Sequence, residues 1–209
     1  MRSELGRAGR GRRTTEMQLT GGDAGGMQVW TQEGYLETVR FAAQAHAGQT
    51  VPGTNLPYLL HVTLVGMEVI AALRTESDRD QELAVRCALL HDIVEDTPAT
   101  VDQLRAAFGP AVANGVSALS KNKALPKDRR LEDSLHRIRE QPAEIWMVKL
   151  ADRITNLQPP PAHWSAEKIA LYREEAIFIH ASLKDASPAL ATRLSQKIAA
   201  YGAVGKRGA

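Results

Sequence analysis

Cysteine is nearly absent from this chain of 209 residues, which contains only Cys87. A single cysteine cannot form a disulfide within the chain, and apolar residues surround Cys87, so we interpret it as a core residue and not as a catalytic thiol. Long apolar runs are also missing, because no stretch approaches the roughly 20 residues that a membrane-spanning helix requires. The N-terminal arginines are not followed by the apolar stretch of a secretory signal. We therefore expect a cytoplasmic protein that does not contact a membrane.

An excess of charge of one sign is missing as well. The net charge is +2, which is too small to indicate nucleic-acid binding by itself. Residues 1–28 are rich in Gly, Arg and Thr, and we expect them to form a disordered tail, with an RNA-binding arm as the alternative and Met27 as an alternative start. The remaining composition is typical of one globular domain, predicted over 29–203, with a flexible C-terminal tail at 204–209.

Apolar residues recur at helical spacing from Trp30 nearly to the end of the chain, and no useful segment alternates with the period of a strand. Thr100 with Gln103 has the form of a capping box, and Gly109 is expected to end the helix that begins there. The predicted helices span about 35–48, 61–73, 79–95, 100–109, 111–120, 127–140, 142–157, 165–183 and 188–202. The fold class is therefore all-α, with a single helical domain.

The densest group of potential metal ligands begins with His91 and Asp92, which Glu95 and Asp96 follow. On a helix, residues three or four apart share a face, so His91 would lie over Glu95. Asp92 would lie over both later acids. Three carboxylates so close together repel one another unless a cation offsets their charge. The segment therefore predicts a metal site, and the alternative is a solvated acidic helix end with one hydrogen-bonded histidine.

A hydrolytic metal site needs further nitrogen or oxygen ligands and an open position for water. Asp152 is a single acid within a strongly apolar helix, and His61 stands at the start of another helix. Each has an ordinary explanation, because Asp152 could pair with Arg153 and His61 could cap its helix. Together with the adjacent His-Asp pair they form a set of two imidazoles and two carboxylates. Such a set suits Mn²⁺ or Fe²⁺ at least as well as Zn²⁺.

Five short strings resemble, in the right order over about 33–185, the hydrolase domain of the RelA/SpoT alarmone hydrolases. They are AHAGQ (45–49), PYLLH (57–61), ALLHDIVEDT (88–97), FG (108–109) and VKLADRITNL (148–157). His61, the His-Asp pair and Asp152 look like the H…HD…D signature of the HD-domain metal-dependent phosphohydrolases. The resemblance is greatest to the small stand-alone members that lack a synthetase domain, and it implies an all-α HD-domain helical bundle.

This resemblance implies a Mn²⁺-dependent enzyme that removes the 3′-pyrophosphate from ppGpp or pppGpp and leaves GDP or GTP. The metal ligands that it implies are His61, His91, Asp92 and Asp152. It also implies that Glu95 and Asp96 orient and deprotonate the attacking water. The expected substrate contacts are Lys123, Arg153, Asn156 and Tyr172.

Basic residues crowd the segment after Ser120, where Lys121, Lys123, Lys127, Arg129 and Arg130 lie. The cluster either contacts the phosphate groups of a substrate or forms a solvated basic loop. Arg153 points either towards the pocket or away from it. We interpret His46 as a packing or supporting residue and Trp164 as the anchor of its loop.

The phosphate-binding side departs from the family pattern. Relatives usually carry basic residues just before and after AH-x-GQ, but here the chain reads Gln44-Ala45 at the start of this segment and Thr50-Val51-Pro52 after it. The loss of charge-assisted contacts supports a second hypothesis, an HD phosphatase for another nucleotide. One example is a dinucleotide of the NADPH type, from which it would remove the 2′-phosphate. A third hypothesis is a catalytically silent HD domain that senses a nucleotide. We expect a nucleotide substrate and no nucleic acid, and we leave a homo-oligomer open.

Overall fold

A computed structural model describes residues 28–201, which form an all-helical bundle. The helices are α1 Gln32–Ala45, α2 Leu59–Leu73, α3 Gln81–Leu90, α4 Ile93–Asp96, α5 Val101–Leu119, α6 Arg130–Arg139, α7 Ala143–Asn156, α8 Ala166–Leu183 and α9 Pro188–Ala200. Single 3-10 turns cover Lys127–Arg129 and Lys184–Ala186. Among these residues, an isolated bridge between Thr50 and Pro57 is the only β pairing. The all-α prediction is confirmed.

The tails predicted at 1–28 and 204–209 lie outside the described residues, apart from Gln28, and so does the alternative start at Met27. Their predicted character and the domain limits derived from them therefore stay predictions. None of the helices within 28–201 combines the length and the apolar character that crossing a membrane requires.

Side-chain caps begin several of the helices, as their sequences indicate. Thr100 accepts a hydrogen bond from the amide of Gln103, whose side chain accepts one from the amide of Thr100, so the predicted capping box is present. Ser165 caps α8, and Ser187 caps α9 ahead of a proline in the first helical position. Within α5, Gly109 has a φ of +83° and separates two helical segments where the sequence predicted a boundary.

The prediction of one continuous helix over 79–95 was wrong. The chain leaves the helix after α3, and His91 and Asp92 form a turn before α4 begins. The side chain of His91 explains part of this break, because its Nδ1 lies 2.9 Å from the carbonyl oxygen of Ala88. That oxygen is the acceptor that the amide of Asp92 would use if the helix continued, and a side-chain donor competes with the main chain for it. The turn places both residues at the end of α3, facing α2 and α7.

The central helix of the bundle is α7, which packs against α2, α3, α5, α6, α8 and α9. Its apolar face is fully buried and consists of Met147, Val148, Leu150, Ala151 and Ile154. Cys87 of α3 is fully buried beside this core, as its apolar surroundings predicted. Because α2, α3 and α7 pack against one another, polar residues on their facing sides are brought together inside the bundle.

Candidate metal centre

Four side chains from three helical regions meet where α2, the end of α3 and α7 come together. His61 Nε2 lies 3.3 Å from His91 Nε2 and 3.5 Å from Asp92 Oδ2, and the last two atoms are 2.9 Å from each other. Asp152 Oδ1 lies 3.6 Å from His61 Nε2 and 3.7 Å from His91 Nε2. The structure therefore brings together all four side chains that the sequence predicted as metal ligands. His61, His91 and Asp92 alone already form a group that could hold a metal ion.

The imidazoles and carboxylates of this centre perturb one another's protonation. Burial alone would lower the pKa of His61, but its hydrogen bonds to Asp152 and Asp92 outweigh burial and raise the pKa to about 9. The charge of Asp92 raises the pKa of His91 in the same way. The pKa of each carboxyl group is lowered despite burial, mainly by the charge of His91 at Asp92 and of Lys149 at Asp152. Ionised oxygens and imidazole nitrogens facing one another are a donor set that fits a divalent cation.

Tyr58 is a residue of this centre that the sequence analysis missed. Its hydroxyl group donates a hydrogen bond to Asp92 Oδ2 at 2.5 Å. Its ring packs against the rings of His46 and His61, with centroid distances of 4.9 and 5.3 Å. Burial and the charge of Asp92 raise the pKa of Tyr58, so the phenol remains a donor. His46 thus supports Tyr58, while its Nδ1 lies 2.6 Å from Gln49 Oε1. The position of Tyr58, three residues before His61, was the only available signal.

Asp152 is held by two donors from its own helix. Lys149 Nζ donates to Asp152 Oδ2 at 3.0 Å, and Asn156 Nδ2 donates to Oδ1 at 2.5 Å. Lys149 is only 8% exposed, and a lysine is rarely so buried unless it is paired, as it is here with Asp152. Lys149 is a further residue of this site that was not predicted, because a lysine one turn from an aspartate on a helix usually forms a surface pair. Asn156, which was predicted to contact the substrate, reaches the centre through Asp152.

The acidic pair Glu95 and Asp96 lies on the short helix α4, directly after the turn that carries Asp92. The Glu95 side chain accepts hydrogen bonds from Lys121 at 3.0 and 3.1 Å, whereas Asp96 is exposed. Although its side chain reaches solvent, partial desolvation of the carboxyl group raises the pKa of Asp96, and the charges of Asp92 and Glu95 raise it further. Lys123 Nζ donates to the main-chain carbonyl of Glu95, so the structure brings this predicted substrate contact to α4. A carboxylate with a raised pKa beside a metal centre is suited to accept a proton.

The other two predicted substrate contacts lie together where α7 faces α8. The guanidinium of Arg153 is buried over the ring of Tyr172, with 4.5 Å to the centroid, and its Nη2 lies 3.3 Å from Glu175 Oε2. Trp164 packs edge-on against Tyr172 at 5.3 Å, which fits its interpretation as a loop anchor. The structure therefore directs Arg153 to Tyr172 and Glu175 and does not bring it to an exposed position.

A groove with a volume of about 770 Å³ lies between α1 on one side and α5 with the segment that precedes it on the other. The nine residues that line it carry no formal charge, and they include Gln44, Ala45, Thr97 and Gln103. Gln44 and Ala45 belong to the stretch in which the family resemblance led us to expect basic residues. Because Thr97 follows Asp96 directly, the groove begins beside the acidic pair. Its amides and apolar surface suit an uncharged ring better than a phosphate group.

Comparisons with known proteins agree with this geometry. The HD domain family matches the chain over residues 38–188. The Danio rerio guanosine-3′,5′-bis(diphosphate) 3′-pyrophosphohydrolase MESH1 is 33% identical over 166 residues, which cover 77% of this chain and 90% of MESH1. The bifunctional (p)ppGpp synthase/hydrolase SpoT of Escherichia coli K12 is 32% identical over 142 residues, which cover 63% of this chain and 19% of SpoT.

A solved structure also matches this chain. It is described as a metazoan ortholog of SpoT that hydrolyzes ppGpp, and it superposes with a TM-score of 0.71 at 26% identity. The superposition covers 84% of this chain and 99% of that protein. The resemblance inferred from the sequence is confirmed: the chain belongs to the HD domain family, and it is similar to hydrolases of the MESH1 and SpoT type.

Proposed function

We propose that this protein is a metal-dependent hydrolase that removes the 3′-pyrophosphate from ppGpp or pppGpp to give GDP or GTP. The observation that carries the proposal is the meeting of the buried His61, His91 and Asp152 with the partly buried Asp92 in one group. The substrate is inferred from the MESH1 relatives, because the match covers most of their length. Hydrolysis breaks the bond between the 3′ oxygen and the adjacent phosphorus, and water supplies a hydroxyl to phosphorus and a proton to the 3′ oxygen.

The ion that we propose is Mn²⁺, with Fe²⁺ and Zn²⁺ as alternatives. The Nε2 atoms of His61 and His91 and one oxygen each of Asp92 and Asp152 would hold it. This donor set contains no sulfur, which separates it from structural zinc sites and suits the harder divalent ions. When bound, such an ion polarises a phosphoryl oxygen and lowers the pKa of water.

The acidic pair has two different environments, and we assign its members accordingly. Glu95 is held by hydrogen bonds from Lys121 and would orient the attacking water. Asp96 is exposed and would accept the proton, which its raised pKa favours. Tyr172 and Asn156 would contact the nucleoside, and Lys123 would face the phosphate groups. Arg153 would support Tyr172 by packing against its ring.

The test is turnover of ppGpp by metal-stripped protein before and after addition of Mn²⁺, with pyrophosphate and orthophosphate assayed separately. We expect release of pyrophosphate that depends on Mn²⁺ and is absent from the Asp92→Ala variant. If wild-type protein loaded with Mn²⁺ releases no pyrophosphate from ppGpp, the proposed substrate is wrong.

The uncharged groove favours a second candidate function, a phosphatase for another nucleotide. Gln44 and Ala45 line this groove, where the family resemblance implies basic residues, so fewer cations are available for a polyphosphate. A dinucleotide 2′-phosphate such as NADPH carries an extra uncharged ring that the groove could accommodate. This candidate predicts release of orthophosphate from NADPH and weak turnover of ppGpp in the same assay.

A further inference from the structure

We infer that Lys121 is a positioning residue that fixes the carboxylate of Glu95 for its work on the attacking water. The inference rests on the proposed hydrolase function, since it assigns the orientation of one acid to a residue outside the metal centre. Lys121 lies in the basic segment after α5, for which the sequence left open a phosphate contact or a solvated loop. The structure shows this side chain bound to another part of the same site.

Both carboxylate oxygens of Glu95 are engaged by the same residue. The Lys121 amide donates to Glu95 Oε2 at 3.0 Å, and Lys121 Nζ donates to Oε1 at 3.1 Å. Lys123 Nζ adds a contact to the main-chain carbonyl of Glu95. A pair of donors on the two oxygens of one carboxylate fixes its position and also the rotation about its terminal bond. Glu95 therefore has one orientation.

The amide of Lys121 is itself held in place from α6. The guanidinium of Arg137 donates to three carbonyl oxygens near the end of α5, those of Ser117, Ala118 and Ser120, at 2.8, 3.0 and 2.8 Å. Asp133 accepts from the same guanidinium at 2.9 and 2.8 Å. These contacts occupy carbonyl groups that a helix end leaves without main-chain partners. Lys121 thus connects Glu95 to the packed pair α5 and α6, and not to a free loop.

The neighbouring acid, Asp96, is not held in this way. Its side chain is exposed and makes no hydrogen bond or ion pair with any side chain or main-chain group in the described part of the protein. The neighbouring acids are consequently not interchangeable, because one is fixed and the other is free to rotate. Lys121 is the residue that makes this difference. It acts on catalysis through Glu95 and not by touching the substrate.

The test compares the full-length wild-type protein with Lys121→Met, Lys121→Arg and a lysine control variant. The control is Lys184→Met, outside the basic segment: Lys184 is exposed in the turn after α8, and its substitution removes the same charge away from the site. For Lys121→Met we expect kcat to fall about two- to five-fold, the range that corresponds to ion pairs with one partner exposed, with KM unchanged. Lys121→Arg should restore most of kcat, and Lys184→Met should match the wild type. A raised KM with unchanged kcat would overturn the inference, because Lys121 would then be a substrate contact.

A double-mutant cycle gives the second test. If Lys121 acts through Glu95, Lys121→Met should cause no further loss of kcat in protein that already carries Glu95→Gln. Equal losses in both backgrounds would overturn the inference. The same four proteins are also compared by urea unfolding, which requires no substrate. If wild-type protein hydrolyses no nucleotide, the proposed function fails. The unfolding cycle still shows whether Lys121 and Glu95 are coupled, and additive losses there would overturn the pairing itself.

Discussion

Replacing Tyr58 by Phe would remove one hydroxyl group beside the metal centre and leave the ring in place. The hydroxyl donates to Asp92 Oδ2 at 2.5 Å, and the ring packs against His46 and His61. Because the packing is kept, the loss is that of a hydrogen bond to an ionised acceptor, about 1.5–3 kcal/mol. Asp92 would lose the partner that orients it, and removal of such a partner typically weakens metal binding about 10- to 100-fold.

The assay is calorimetric titration of Mn²⁺ into metal-stripped wild-type and Tyr58→Phe protein, followed by turnover at saturating Mn²⁺. We expect metal binding about 10- to 100-fold weaker in the variant, with most of the turnover recovered once the metal saturates the site. Tyr35→Phe is the matched control, since Tyr35 is a partly buried tyrosine of α1 that packs against Trp30 and lies outside the metal centre. Equal Mn²⁺ affinities for wild-type and Tyr58→Phe protein would refute the reasoning, because Tyr58 would then not orient a ligand.

Further predictions concern the ligands and the acidic pair. Asp92→Ala should abolish Mn²⁺ binding in calorimetry and turnover together, and retained turnover would exclude Asp92 as a ligand. Glu95→Gln should bind Mn²⁺ like the wild type but lose most of its turnover, so full activity would show that Glu95 does not handle the water. In metal-stripped protein, the pKa of His61 is raised to about 9 from 6.5. The protonated imidazole therefore stabilises the fold fully below pH 6.5, and this contribution is lost as the pH rises through about 9. The free energy of unfolding in urea should therefore fall between pH 6.5 and 9, and a constant value would contradict the ion pairs that His61 makes with the two carboxylates.

The sequence predicted most of the fold because burial in a helical bundle follows a simple period. Apolar spacing and end signals such as Thr100 and Ser187 located most of the helices. The same spacing made Asp152 conspicuous, since a single acid in an apolar run must be buried with partners. It could not detect the break after α3, because the turn at His91 and Asp92 keeps the apolar residues on either side of it in the core.

The residues that the sequence analysis missed depend on contacts between distant parts of the chain. Tyr58 and Asp92 are separated by 34 positions, and Lys121 and Glu95 by 26. Neither pair leaves a periodic signal, because each forms only after α2, α3 and α5 have packed. Arg153 illustrates the opposite difficulty: its place beside Asp152 is evident, but the direction of its side chain depends on Tyr172 of α8.

The most direct test of the central claim is a crystal structure of the protein grown with Mn²⁺, with anomalous diffraction data collected at the manganese absorption edge. We expect one strong anomalous peak between His61 Nε2, His91 Nε2 and the carboxylate oxygens of Asp92 and Asp152. The distances from this peak to its ligands should be near 2 Å. A peak elsewhere would contradict the proposed metal site. So would the lack of a peak between these four side chains in protein whose turnover depends on Mn²⁺.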